Sequence, residues 1–174
     1  QESVLLVQNK IKQILNQKLN YMVKKENLGV ELLVLKWPKN KRNFILEKKV
    51  IEYIDKLNLQ EFFLFFDGIQ IHNDGCIIVR GFDSNNQFTK LRKKIFEKFP
   101  EIPIKQSNLV HVPIGRILTE INKEDSYKLI DLVKTTRAKN EFFPIEKINS
   151  IKIIHEEKWY MEKRSTIKTW NLKK

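Results

Sequence analysis

In the 174-residue chain, the stretch Asn108-Leu-Val-His-Val-Pro-Ile-Gly-Arg116 sets a single histidine, His111, inside an otherwise apolar run. An imidazole titrates close to neutral pH, so His111 has the chemistry of a general acid or base. In a strand, alternation sends His111, Pro113 and Gly115 to one face and Val110, Val112 and Ile114 to the other. The valine and isoleucine face belongs against a core. The His111 face, flanked by two residues of little bulk, suits the floor of a cleft. Arg116 adds a guanidinium able to grip a phosphate through two N–H groups. Simple alternation puts it on the face opposite His111 unless the strand twists or bulges at Gly115, and a structural ion pair is the competing role.

Other candidates lie toward the two ends. His155 stands at a strand end before Glu156-Glu157, where a structural role competes with a ligand contact. Lys158 with Trp159 and Tyr160 has the make-up of a basic platform for stacking bases. Lys36 with Trp37 has the same make-up, and in both cases the aromatic ring suits a core equally well. His72 belongs to a turn, and the Asp-Gly settings of Asp67 and Asp74 also read as turns. The three histidines form no ligand-like pair, and Cys76 is the one cysteine, so neither a metal site nor a cofactor is expected. A lone cysteine allows no intramolecular disulfide and suits a reducing compartment, the cytoplasm by default. No apolar run approaches the ~18 residues of a membrane span. The start at Gln1 reads as a fragment or a processed form.

The formal charge is +12, with 33 Lys and Arg against 21 Asp and Glu. Such an excess attracts polyanions over a Debye length of roughly 10 Å. Lys36, Lys39, Lys41 and Arg42 form one basic cluster; Lys90, Arg92, Lys93, Lys94 and Lys98 form another. Abundant lysine, asparagine and isoleucine are also what an AT-rich genome encodes, so a merely solvated surface competes with RNA or phosphate attraction.

These residues need elements to hold them. Val7, Ile11, Ile14, Leu15 and Met22 fall at helical spacing and predict an amphipathic helix over about 2–25, closed by Asn27-Leu-Gly29. Val30 to Trp37 reads as a strand stopped by Pro38. Asn43 caps a helix with Leu46, Val50, Tyr53, Ile54 and Leu57 inside. Phe62 to Phe66 is apolar enough for a central strand and runs on to Ile71. His72-Asn-Asp-Gly75 is a hairpin turn into a strand over 76–80. Ser84 and Gln87 form a capping box for a helix burying Phe88, Leu91, Ile95 and Phe99. After the His111 strand, Asn122 opens a helix with Leu129, Ile130 and Val133 inside, and two strands, 145–155 and 158–170, finish the chain.

Strand 30–37, helix 44–57 and strand 61–71 are echoed by strand 109–118, helix 123–136 and strand 146–155. The expected fold is therefore α+β and bilobal, two related lobes whose antiparallel sheets line a central cleft with helices outside. Residues 1–27 form a leading helix and 28–172 a single domain, with lobes at about 28–81 and 82–172.

This architecture, with Val110-His-Val-Pro-Ile-Gly-Arg116 in its second half, resembles the two-histidine phosphoesterase superfamily of 2′-5′ RNA ligase and cyclic phosphodiesterase proteins. Phe66-Asp-Gly-Ile-Gln-Ile, Ile77-Ile-Val-Arg80 and Ile154-His-Glu-Glu-Lys-Trp159 add to the likeness, which covers about 28–172. The resemblance implies a His-x-Ser/Thr motif in each lobe. One imidazole takes a proton from water, the other protonates the leaving ribose oxygen, and the hydroxyls brace the phosphate. The chain departs from this twice. Pro113 stands where the second hydroxyl belongs, and the first-lobe strand Val30-Glu-Leu-Leu-Val-Leu-Lys36 offers Glu31 and no histidine. With both departures, the resemblance implies a divergent, non-catalytic member binding an RNA end, a nucleotide or another phosphate ligand in a basic cleft. That cleft would be floored by His111, with Arg116, His155, Lys158, Trp159 and Lys36 as contacts. An active cyclic phosphodiesterase using His111, and a basic scaffold subunit marked by an exposed apolar patch, are the alternatives.

Overall fold

The computed structural model describes residues 2–16, 20–37, 40–138, 143, 145–158 and 162–174. The elements run α1 (Glu2–Ile14), β1 (Asn20–Met22), α2 (Phe44–Asp55), β2 (Phe62–Ile71), β3 (Cys76–Phe82), α3 (Gln87–Lys98), β4 (Val110–Ile117), α4 (Lys123–Ala138), β5 (Glu146–Ile148), β6 (Ser150–Glu156) and β7 (Arg164–Asn171). Among the described residues these strands pair antiparallel, with one isolated parallel bridge between Gln60 and Lys173, and the class is mixed α+β. Two compact units interleave along the chain. Unit 1 draws on Gln1–Val30, Phe65–Phe82 and Leu109–Ile145, and unit 2 on Glu31–Leu64, Asp83–Asn108 and Glu146–Lys174. Each unit is thus assembled from three separate stretches, and one changeover falls inside a strand. That strand is β2, whose first residues, Phe62 to Leu64, pair with β5 while Phe65 to Ile71 pair with β3.

In unit 1, α1 and α4 lay Val7, Ile11, Leu129 and Leu132 against Ile69, Ile77, Val79 and Ile114 of the strands. Helix α1 stops at Ile14, well short of the 25 that periodicity suggested. The Asn20 side-chain amide donates to the carbonyls of Leu15 (3.3 Å) and Asn16 (2.9 Å), and Asn20 to Met22 then pair with Ile117 to Gly115 of β4. Met22 reaches the core from a strand, because β4 offers its backbone a better partner than another helical turn would. The 72–75 turn is as expected: His72 and Gly75 are tied to Cys76 and His72, and Gly75 takes φ +84°. A Cβ there would lie 2.4 Å from the Ile117 carbonyl oxygen, so only glycine fits.

Two irregularities mark this sheet: β2 gains a residue on β3 between Phe66 and Ile69, and a second lies in β4. Between Ile77 and Ile78, β4 advances two residues while β3 advances one, leaving Ile114 as a bulge. Pro113, which brings no N–H to the ladder, sits beside it, as proline in a sheet requires. The Ile114 carbonyl accepts from the Val23 N–H (3.0 Å) and from the Gln8 side chain (2.7 Å), and Gln8 also donates to Val23 (2.8 Å).

In unit 2, α2 and α3 pack Leu46, Val50, Ile54, Leu91, Ile95 and Phe99 with Ile153 of β6. Asn43 caps α2 as expected, accepting from the Leu46 N–H at 3.0 Å. The α3 cap differs. Asp83, not Ser84, accepts from the N–H groups of Gln87 (3.2 Å) and Thr89 (2.9 Å), because Asn86 in the left-handed region (φ 56°) turns the chain just before the helix. Residues 30–37 form no strand. Their backbone groups are taken up by side chains: Gln106 accepts from the Val34 N–H (2.8 Å) and donates to its carbonyl (2.9 Å), and Arg92 donates to the carbonyls of Leu32 and Glu31. Nor is the start of β2 shielded on both faces. Phe62 and Leu64 are buried, but Phe63 and Phe65, on the opposite face of the strand, are exposed.

Gln8→Leu keeps the helix and its apolar face but strips two donors from buried carbonyls. It is expected to lower unfolding stability by about 1–3 kcal/mol, read as a reduced denaturant midpoint. An unchanged midpoint would mean that the bulge is held without Gln8.

Candidate functional site

The pairing of β3 with β4 sets Arg80 opposite His111, Ile78 opposite Pro113 and Cys76 opposite Arg116. Cross-strand partners share a face. Cys76, Ile78 and Arg80 lie on the side of β3 opposite Ile77 and Val79, a side that is covered at Ile78 and opens toward Arg80. The extra residue at Ile114 resets the alternation, so Arg116 joins His111 and Pro113 on that outer face. Regular alternation would have sent it to the core. The break lies one residue before the Gly115 position that the sequence singled out. Gly115 matters for a different reason. A Cβ there would meet Met22 Sδ and the Tyr21 carbonyl at 2.7 Å, so its absence lets β1 close against β4.

The groups on this face are already engaged to different degrees. Arg116 donates to the Asp74 carbonyl from Nε (3.2 Å) and Nη2 (3.0 Å), and to the Asp74 carboxylate from Nη2 (2.9 Å). Its guanidinium thus clasps the hairpin turn, the structural role weighed against phosphate binding. Arg80 Nη2 donates to Asp67 (2.6 Å), and its guanidinium lies 5.0 Å from the centre of the Phe82 ring. Arg80 Nε is buried with no acceptor among the described residues. His111 is half-buried, its Nδ1 at 3.4 Å from the Leu109 carbonyl, at the long limit of a hydrogen bond.

A second group of ionisable side chains belongs to unit 2. The Glu157 carboxyl is held below its ordinary range by a hydrogen bond from the Lys163 ammonium, with the charges of His155 and Lys36 adding to the effect. Lys36 and His155 thus both act on the Glu157 carboxylate. Lys36 Nζ also donates to the Trp37 carbonyl (3.2 Å). His155 continues the row Ile151, Ile153 along β6; its Nδ1 is buried with no hydrogen-bond partner among the described residues. Lys158 is exposed just beyond β6, and Trp159 and Tyr160 lie outside the described residues. Glu31 is pushed above its ordinary value, first by burial and then by the nearby Glu156, against the pull of Arg92. Burial in turn pulls Arg92 below its usual value.

The candidates therefore fall into two sets, His111 and Arg116 in unit 1 and Lys36, His155 and Lys158 in unit 2. Of the 33 basic residues 21 lie in unit 2, with 12 of the 21 acidic ones, so unit 2 holds most of the excess positive charge. Sequence reasoning missed Arg80 as the neighbour of His111. The two are joined only through a register set across the whole α3 connection, which no local pattern encodes. Among the described residues no three His, Cys, Asp or Glu side chains are grouped as metal ligands, and no described helix is long and apolar enough to cross a membrane.

Fold and site together define a mixed α+β protein with a histidine–arginine face on a bulged antiparallel sheet. No protein-family model matches the chain, and no curated protein matches it.

Because burial raises the Glu31 pKa, the native state keeps a proton that the unfolded chain releases near 4.5. Stability is therefore lost as pH climbs from that value through the folded-state value. Glu31→Gln is expected to melt higher than the parent at neutral pH, with the gap closing on acidification below the ordinary carboxylate range. Paired melts across pH test this, and a lower-melting variant at neutral pH would show that the attraction to Arg92 outweighs burial.

Proposed function

We propose that the protein is a divergent, non-catalytic phosphoesterase-like protein that binds an RNA end, a nucleotide or another phosphate-bearing ligand on the His111 face. The observation that carries this reading is the pairing of His111 with Arg80, whose Nε–H has no acceptor among the described residues. A buried donor without a partner is costly to keep. A phosphate oxygen is the acceptor best matched to a guanidinium beside an imidazole.

The chemistry of the same face favours binding over turnover. Opening a cyclic phosphate takes one group to deprotonate water and another to protonate the leaving oxygen. His111 supplies one. Pro113 brings neither a hydroxyl nor an amide proton. The 30–36 stretch, where the resemblance would look for a second group, offers no histidine; its Glu31, in unit 2, is biased toward its neutral form by burial and, once ionised, would repel a phosphate.

The exposed rings of Phe63, Phe65 and Phe82 favour a second reading, a basic subunit that docks on a larger partner through an apolar patch. Two measurements separate the readings. The protein and its His111→Ala variant are assayed for hydrolysis of nucleoside 2′,3′-cyclic phosphates, and for binding of a short RNA ending in a cyclic phosphate. The expected result is no turnover by either, with binding weakened about tenfold or more in the variant, the scale of one charge-assisted contact. Turnover that vanishes in His111→Ala would overturn the non-catalytic reading. Absence of binding by the folded parent would leave the docking subunit.

A further inference from the structure

Phe65 and Phe82 are cross-strand partners in β2 and β3, 37% and 46% exposed. Alternation along β3 places Phe82 on the same face as Arg80, Ile78 and Cys76, and Phe65 shares it through the pairing. That is also the face of His111, Arg80's partner in β4. Two aromatic rings thus lie open beside a guanidinium and an imidazole on one sheet surface. The other side of the sheet explains why they gain nothing from the core. Phe66 and Gly81, the next pair, turn inward, and a Cβ at Gly81 would strike the Phe66 ring at 2.9 Å. The inward positions are full, and Phe65 and Phe82 are left outside.

Large apolar rings exposed side by side on a strand pair invite sticking, a liability unless they are used. Their setting says what they would take. The Arg80 guanidinium lies 5.0 Å from the Phe82 ring centre and is anchored by Asp67, which fixes the ring's orientation through a cation–π contact. Rigid rings on a sheet, with a cation at their border, match a flat π-system carrying a negative group. Two rings are too small an area for a lasting protein interface, which buries ~800 Å² on each side. They are large enough for one or two bases, since every base has a π-face to stack.

We infer that Phe65 and Phe82 form a stacking platform for unpaired bases of a single-stranded nucleic acid whose phosphate lies toward Arg80 and His111. This rests on the phosphate-binding reading and narrows it: the ligand carries a nucleobase, and a sugar phosphate or inorganic phosphate would be held less well.

The test is fluorescence anisotropy with a labelled uridine octaribonucleotide and an abasic ribose-phosphate octamer of equal charge. Both are titrated with the parent, Phe82→Ala, Phe65→Ala and Phe82→Trp, each checked for an intact thermal melt. The parent is expected to prefer the base-bearing strand by roughly 5- to 100-fold, the range for stacking one base. Phe82→Ala and Phe65→Ala should each erode that preference while leaving the dependence of affinity on salt unchanged, because phosphate contacts set the salt dependence. Phe82→Trp, which keeps a ring and guards against a mere folding effect, should retain it. Equal binding of both octamers by the parent, unaltered in the Phe→Ala variants, would overturn the platform while leaving phosphate binding in place. Failure of the folded parent to bind either strand would overturn both.

Discussion

The outer face of unit 1 depends on how one carbonyl, that of Ile114, is satisfied. Pro113 denies β4 a ladder donor, and the next residue is pushed out as a bulge. A bulge leaves polar groups to be partnered. Gln8 from α1 and the Val23 N–H, just past β1, both reach this oxygen. Helix, short strand and central strand are thereby tied at one point. The shift of one residue carries Arg116 to the side of His111 and lets its guanidinium clasp the Asp74 turn. Without the bulge, a charged side chain would point toward Val7, Ile11 and Leu132, and burying an unpaired charge there would be far more costly than the irregularity.

Unit 2 meets the same accounting requirement by other means. Its 31–36 stretch has the composition of a strand, yet Gln106 and Arg92 supply the bonds that a neighbouring strand would have given. An amide side chain imitates a peptide group, so Gln106 serves both the N–H and the carbonyl of Val34. The consequence reaches the ionisable groups. With Arg92 turned to the backbone carbonyls, burial dominates Glu31 and holds its pKa up. Glu157, at the open end of β6, has Lys163 beside it and is held down. Two carboxylates in one unit are driven in opposite directions by solvent access and by the nearest cation.

The charge and the aromatic exposure are unevenly placed. Both lysine-rich clusters read from the sequence fall in unit 2, while His111, Arg80 and the Phe65–Phe82 pair belong to unit 1. In unit 1, therefore, the arrangement is local: a few oriented donors and rings rather than a broad field of charge. The formal charge of the whole chain acts at longer range.

Local chemistry was legible in the sequence wherever it acts within a few residues. The Asn43 cap, the 72–75 turn, the buried stripe of α3 and the β4 strand all follow from spacing and side-chain type, because the groups that satisfy one another are near in the chain. The α+β class followed from the order of those elements. Four things did not: where α1 stops, the failure of 30–37 to join a ladder, the exposure of Phe63 and Phe65, and the face on which Arg116 emerges. Three of them turn on a partner far away in sequence: β4 for Asn20–Met22, Gln106 and Arg92 for 31–34, and Gln8, which holds the bulge, for Arg116. Backbone donors and acceptors must all be satisfied, but the chain alone does not say by whom. Only the tertiary structure, by setting the register across long connections, makes that choice, and with it places Arg80 against His111.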